Sequence, residues 1–173
     1  MSAAAEVAKV ANKCREAQAD KQLDLSDCNL KAIPDAVYIF FRETSPEICN
    51  LSLNVLKIIP AKFPSNFNNL KELNLSSNLL TRLPNELSKM VALTSLDISE
   101  NRFIDFPDVV YSLSCLKTFN AKANMITDID TQRIQEIPNL HDVYLNDNPL
   151  SEETCLAIEV LNGRLTVHIG QRK

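Results

Sequence analysis

The sequence predicts an α/β solenoid, an arc with a short parallel sheet on its concave side and helical or 3₁₀ segments on its convex side. Composition is the first observation, because Leu occurs 23 times and Asn 17 times in 173 residues, while Gly occurs only twice. The second is an apolar pattern that recurs at a nearly constant spacing. The third is length, since a domain of this size buries about 70% of the surface of its unfolded chain.

The repeat is clearest around four asparagines. Asn78, Asn101, Asn124 and Asn148 are separated by 23, 23 and 24 residues. Each follows an apolar-x-apolar tripeptide and precedes another apolar residue by two positions. The order L-x-x-L-x-L-x-x-N/C-x-L, with a period of about 20 to 29 residues, defines the leucine-rich repeat. The sequence therefore predicts a leucine-rich-repeat arc of about six repeats over residues 21–150.

One position of the repeat is predicted to be structural, namely the Asn or Cys that follows each strand. A buried Asn amide both donates hydrogen bonds to backbone groups of neighbouring turns and accepts them, so stacked copies form a ladder. A Cys fits the same position as a small buried residue with a weak donor. The predicted ladder consists of Cys28, Asn54, Asn78, Asn101, Asn124 and Asn148.

The second repeat is predicted to be irregular. If Leu51 and Leu53 are its two inward strand residues, only seven residues lead from Leu53 to Pro60, whereas nine lead from Leu75 to Pro84. This alignment places a gap of two residues directly after the strand. The ladder then continues through the second repeat only across that gap.

Both ends of the array are predicted to be capped. Residues 1–20 have high helix propensity and an apolar face that includes Val7 and Cys14, so they predict an N-terminal helix over the first repeat. Residues 151–173 predict a C-terminal cap, with a helix that begins at Ser151 and a final alternating strand. Because the ends of a solenoid need such shielding, the two caps predict a complete small protein rather than a fragment of a longer array.

Binding is predicted on the concave face. Side chains alternate along a strand, so the residues between and beside the inward leucines point to the concave side. This surface is polar and mildly acidic, with one rigid aromatic residue, and it predicts a partner with basic or mixed charge. The residues predicted to bind a protein partner there are Asp24, Glu72, Asn74, Asp97, Asn120, Lys122, Asp142 and Tyr144.

The form N-x-L-x-x-L-P-x-x-L-x-x-L in residues 78–90 resembles the intracellular proteins that consist of leucine-rich repeats and little else. The resemblance extends over nearly the whole chain. It implies a protein-binding role in the cytoplasm, often in intracellular signalling, and it implies no catalytic activity. The first hypothesis is therefore a non-enzymatic adaptor or regulator that binds a protein through the concave face and its rims.

Composition and motifs argue against other functions. A net charge of −4 and a pI near 5.2 disfavour nucleic-acid binding and binding to anionic membranes. No apolar run approaches the roughly 18 residues that span a bilayer, so no membrane insertion is predicted. His141 and His168 stand apart, the five cysteines form no C-x-x-C pair, and the common catalytic motifs are absent. No enzyme, cofactor or metal site is predicted.

A second hypothesis is a structural subunit that contacts its complex through an apolar patch. The segment 37–41, from Val37 to Phe41, is expected on the convex side. A contiguous exposed apolar surface there would favour this hypothesis, since soluble monomers rarely leave large patches bare. Under either hypothesis the chain on its own is expected to be a monomer.

Overall fold

The sheet of the solenoid is parallel and follows chain order. The computed structural model describes residues 3–161, 163 and 165–170, without the side chains of residues 3–7 and 19, so the predicted contact of Val7 lies outside the described part. Within that part, seven strands pair each with the next, which confirms the predicted α/β solenoid. The strands are β1 (Gln22–Asp24), β2 (Ile48–Asn50), β3 (Glu72–Asn74), β4 (Ser95–Asp97), β5 (Thr118–Asn120), β6 (Asp142–Tyr144) and β7 (Thr166–His168).

The convex side consists of short helices and 3₁₀ segments, as predicted. They are α2 (Asp35–Phe40), α3 (Lys62–Asn66), two 3₁₀ segments (Asn85–Lys89 and Asp108–Ser112), α4 (Thr131–Glu136) and α5 (Glu152–Glu159), with α1 (Ala3–Asp20) before them at the N-terminal end. Pro34, Pro84 and Pro107 precede three of these segments with φ between −64° and −71°, a value that suits a first helical turn. Asp130 and Ser151 instead cap α4 and α5 through side-chain hydrogen bonds.

The core is one continuous cluster between the sheet and the convex segments. From β1 to β6, each strand points its middle residue inward, and the residue just after the strand also points inward. These inward residues are Leu23 and Leu25, Cys49 and Leu51, Leu73 and Leu75, Leu96 and Ile98, Phe119 and Ala121, and Val143 and Leu145, none more than 2% exposed. Burial of one large apolar side chain stabilises the fold by about 1.5–3 kcal/mol.

Helix α1 lies against β1 and covers the first end of the core. Val10, Cys14 and Ala17 on its inner face are at most 4% exposed. The Nζ of Lys9 donates a hydrogen bond to the carbonyl of Asp27 at 2.6 Å, which links the helix to the turn of the first repeat. The helix therefore shields the apolar side chains that no preceding repeat covers.

The second repeat has a regular length, so the predicted two-residue gap is wrong. In the sheet, Cys49 lies beside Leu73, and both side chains are buried. The two inward residues of this repeat are therefore Cys49 and Leu51, rather than Leu51 and Leu53. Nine residues lead from Leu51 to Pro60, the same spacing as in the third repeat. Cys49 is thus a core thiol in a strand.

Leu53 lies in the sharp turn before the ladder residue, where its side chain is 60% exposed. Its φ is +56°, and the equivalent residues in all the remaining repeats also have a left-handed backbone conformation. These residues are Asp27, Leu53, Ser77, Glu100, Ala123 and Asp147, with φ between 50° and 59°. None of them is glycine, so each repeat accepts a conformational cost of about 1 kcal/mol to reverse the chain after its strand.

Two substitutions test this register. We expect Leu53→Asn to leave stability unchanged or to raise it by up to about 1 kcal/mol, because Asn tolerates the left-handed region better than Leu. Leu51→Ala should lower the free energy of unfolding by about 2–5 kcal/mol, because it opens a cavity in the core. Urea unfolding followed by circular dichroism measures both changes. A loss at Leu53 as large as that at Leu51 would contradict the register.

Candidate functional site: the concave face

The outward-facing residues of the seven strands form one polar surface, which we call the concave face. Neighbouring strands pair without a shift, so equivalent residues form two rows across the sheet. The first row contains the first residue of each strand, and the second row contains the last residue of each strand. In order, the concave face consists of Gln22, Asp24, Ile48, Asn50, Glu72, Asn74, Ser95, Asp97, Thr118, Asn120, Asp142, Tyr144, Thr166 and His168. All predicted partner-binding residues belong to it except Lys122, which lies two residues after β5.

The second row of the concave face shapes the turns that follow the strands. In β1 to β5, the last strand residue is Asp or Asn, and its Oδ1 accepts a hydrogen bond from the backbone N–H two residues later. The residues are Asp24, Asn50, Asn74, Asp97 and Asn120, with distances of 2.8–3.0 Å. Such Asx turns hold the strand ends in place. Four predicted binding residues therefore have a structural role as well.

Further hydrogen bonds fix the two carboxylates of this row. The hydroxyls of Ser26 and Ser99 donate to Asp24 and Asp97 at 2.6 Å. Burial opposes ionisation of Asp24, but the hydrogen bonds from Ser26 and the ammonium of Lys13 outweigh it and hold the pKa of Asp24 below its ordinary value. Both side chains are thus held in one orientation.

The C-terminal end of the concave face carries a stacked aromatic pair. The rings of Tyr144 and His168 lie parallel, with an interplanar angle of 5° and centroids 4.3 Å apart. The Nε2 of His168 lies 3.3 Å from an Oδ1 oxygen of Asp142. Because β6 and β7 place these three residues side by side, Tyr144 is held as a flat platform rather than a free side chain.

Besides Asp142 and Tyr144, Glu72 and Lys122 are the concave candidates whose side chains take no part in the Asx turns. Glu72 is exposed and has no side-chain hydrogen bond or ion pair within the described residues. The Nζ of Lys122 lies 3.5 Å from Asp147, an exposed pair at the rim. Exposed pairs of this kind contribute less than about 1 kcal/mol. Both side chains remain able to reach a partner.

The charge of the concave face is negative. Its strand positions include four carboxylates and, among these described positions, no Lys or Arg. The carboxylates are Asp24, Glu72, Asp97 and Asp142. Lysines lie only at the edges, where Lys13 approaches Asp24 and Lys122 approaches Asp147. The face therefore attracts cationic groups, and it does so most strongly at low ionic strength.

Directly behind the second row lies the line of ladder amides, which are buried except for the half-buried Asn148. The Nδ2 of each ladder Asn contacts one carbonyl of the preceding repeat and two of its own turn. The Oδ1 accepts backbone N–H bonds from the preceding repeat at 2.9–3.1 Å. The amides that make these contacts are Asn54, Asn78, Asn101, Asn124 and Asn148. Cys28 occupies the equivalent place in the first repeat, where its Sγ donates to the carbonyl of Ser26.

Comparison with known proteins agrees with this geometry. The leucine-rich-repeat family model matches residues 47–103. Leucine-rich repeat-containing protein 20 of Mus musculus is 39% identical over 153 residues, which cover 87% of this chain and 83% of that protein. The chain belongs to the leucine-rich-repeat family. Adenylate cyclase of Schizosaccharomyces pombe is 33% identical over 152 residues, but the chain spans only 9% of that protein.

A solved structure shares the leucine-rich-repeat fold. A leucine-rich-repeat protein of Leptospira interrogans superposes with a TM-score of 0.63 at 21% identity, over 81% of this chain and 40% of that one. Identity at this level supports the fold alone. Among the described residues, no helix is both long and apolar enough to cross a membrane.

The structure adds residues that sequence reasoning did not assign to the concave face of this leucine-rich-repeat protein. Ile48 belongs to it because the register of β2 differs from the predicted one, which moves Asn50 from the position before the inward pair to the position between its two members. Thr166 and His168 belong to it through β7. The alternation of residues 165–169 signals this strand, but its register against β6 depends on the intervening loop.

The segment 37–41 does not form the contiguous exposed patch that the second hypothesis requires. Val37 and Phe41 are buried, and Tyr38 and Phe40 are half-buried against the core. Tyr38 stacks on Phe67 with ring centroids 5.7 Å apart. Only Ile39 of this segment is exposed, at 67%, and single exposed apolar residues are ordinary on protein surfaces.

The buried amides can be tested through Asn101. Asn101→Ala removes an acceptor for the N–H of Leu80 and a donor for the carbonyls of Leu75 and Ile98. We expect the free energy of unfolding to fall by about 1–3 kcal/mol, because these buried groups lose their partner.

The neighbouring Arg102 is exposed and provides the control. Arg102→Ala should change stability by no more than about 0.5 kcal/mol. The midpoints of urea unfolding of the two variants make the comparison. Equal effects would show that the amide of Asn101 does not support the turns.

Proposed function

We propose that this leucine-rich-repeat protein is a non-enzymatic interaction module that binds a protein partner through its concave face and rims. It acts in the cytoplasm as an adaptor or regulator in intracellular signalling. Leucine-rich-repeat proteins generally mediate protein–protein interaction, which supports the general role. The observation that carries the specific proposal is the concave face itself, an acidic surface with one fixed aromatic platform.

The partner presents basic groups. The four carboxylates face one side, and Tyr144, with one ring face stacked on His168, offers the opposite face to a cation or an apolar side chain. Tyr is among the residues that contribute most to binding energy when they lie in the centre of an interface. Opposite charges steer the approach, so binding should weaken as salt is raised.

The size of the concave face limits affinity. Seven strands about 4.8 Å apart span about 29 Å. Backbone hydrogen bonds between neighbouring repeats extend beyond each three-residue strand, as from Lys71 to Ser77, and about seven residues at 3.3 Å each give about 23 Å of height. The product, about 670 Å², is less than the roughly 800 Å² that each partner buries in a standard interface. A stable complex therefore includes the rims, and the face alone supports modest affinity.

Several residues that could suggest catalysis have structural surroundings. Burial raises the pKa of the Cys14 thiol to about 11, with a further contribution from nearby Cys28. Burial also raises the pKa of Cys49. Asp128 accepts a hydrogen bond from the Ser151 hydroxyl, and Asp130 caps α4. Thiols held neutral are poor nucleophiles, which supports a non-enzymatic role.

Proximity labelling in cells tests the proposal with two matched double variants. The concave variant is Glu72→Lys with Tyr144→Ala, which reverses a charge outside the Asx turns and removes the platform. The convex variant is Glu136→Lys with Ile39→Ala, which makes the same kinds of change at exposed convex positions. We expect the labelling of specific proteins to fall by about tenfold or more in the concave variant and to stay unchanged in the convex variant.

The other outcomes decide against the concave face. Loss in the convex variant alone would favour the structural-subunit hypothesis and the surface around Ile39. Unchanged labelling in both variants would show that neither surface holds a strong partner. For a protein recovered by the first outcome, binding to the purified wild type should weaken with rising salt.

A further inference from the structure

The two ends of the sheet are covered differently. At the first end, α1 covers the core beside β1, where the inward residue Leu23 is 1% exposed. At the other end, β7 is the last strand in the described part of the chain. Its inward residue, Val167, is only half-buried, as are the flanking Leu165 and Ile169. The second end of the solenoid therefore presents a strand edge with apolar side chains beneath it.

Hydrogen bonding determines which groups of β7 point outward. The N–H of Thr166 donates to the carbonyl of His141 at 2.6 Å, and the carbonyl of His168 accepts from the N–H of Leu145 at 2.8 Å. Thr166 and His168 thus direct their backbone groups toward β6. In a strand, successive residues direct these groups to opposite sides. The N–H and carbonyl of Val167 consequently point away from the sheet.

Exposed edges of this kind are templates for pairing with another strand. The residues around Val167 read Leu-Thr-Val-His-Ile, apolar at 165, 167 and 169 and polar at 166 and 168. The pattern of apolar and polar positions is the same in both directions from Val167. A second copy that runs antiparallel and is centred on Val167 therefore matches apolar with apolar and polar with polar. This pairing involves β7 of each copy and no other described strand.

We propose that two copies of this protein pair through β7, antiparallel and centred on Val167, to form one continuous sheet. The two Val167 residues exchange both backbone hydrogen bonds. Leu165 of each copy lies opposite Ile169 of the other, and Thr166 lies opposite His168. The two-fold axis is perpendicular to the sheet, so both concave faces lie on the same side.

The pairing is weak. Five residues of extended strand measure about 17 Å, and a sheet is about 10 Å thick, so each copy buries only a few hundred Å² through the strand. Interfaces below about 1,200 Å² in total are typical of transient complexes. The protein is therefore a monomer when dilute and pairs with a Kd on the order of 0.1 mM.

Sedimentation equilibrium from about 0.01 to about 1 mM tests the pairing on the full chain. The wild type should shift from 19.4 kDa toward twice that mass. Val167→Pro removes the outward N–H without breaking a bond to β6, and it should weaken pairing by about tenfold or more. Val167→Thr keeps the N–H and a β-branched shape, so its dissociation constant should stay close to that of the wild type.

Cross-linking tests the register independently of Val167. In a Cys115→Ser background, which removes the exposed thiol, Thr166→Cys protein is mixed with His168→Cys protein and oxidised. The proposed register places these positions directly opposite, whereas two copies of position 166 are too far apart for a disulfide. Heterodimers should form faster than either homodimer.

Three results would overturn the proposal. One is a wild type that stays at 19.4 kDa up to about 1 mM. Another is equal pairing by folded Val167→Pro and by the wild type. The third is cross-linking without preference for the mixed pair, which also decides the question if Val167→Pro fails to fold.

Discussion

The side-chain amides of the ladder asparagines hold this protein together. A strand of three residues makes few hydrogen bonds, so strand pairing alone does not define the turns that follow. Each amide contacts carbonyls of its own turn and of the preceding repeat, and it accepts N–H groups from the preceding repeat. These turns are left-handed at residues other than glycine. The amides therefore offset a conformational cost in every repeat and set the spacing on which the concave face depends.

Side-chain hydrogen bonds to the turns also determine the properties of the concave face. Most of its second row consists of Asp and Asn side chains that already accept hydrogen bonds from their own turns. A partner that competes for those oxygens loses the benefit of the turn, so they contribute mainly through charge. Glu72, Lys122 and the stacked Tyr144 are the groups that can give specific contacts without such a loss. Recognition is therefore concentrated in a few side chains on a rigid background.

Most of the fold was predictable because the repeat period and the buried Asn positions are explicit in the sequence. The register of the second repeat was not, because Leu51 and Leu53 form a better L-x-L pair than Cys49 and Leu51. The structure prefers the second pair because Asn54 then completes the hydrogen bonds of the turn, while Leu53 accepts an exposed, strained position. The concave rows of the other strands could be predicted from the alternation of side chains. The position of His168 beside Asp142 could not, because the register of β7 against β6 depends on the conformation of the intervening loop.

The asymmetry of the two ends connects stability with recognition. Each solenoid repeat is stabilised by contacts with its neighbours, so a terminal repeat lacks these contacts on one side. The N-terminal end is closed by α1, which covers apolar side chains. Within the described residues, the C-terminal end is closed by β7, whose N–H and carbonyl at Val167 point outward. Pairing of two such edges would satisfy them and double the concave face from about 670 Å² to above the roughly 800 Å² of a standard interface. A partner that spans both copies would then stabilise the pair, so a dimer that is weak in isolation becomes effective when the partner is bound.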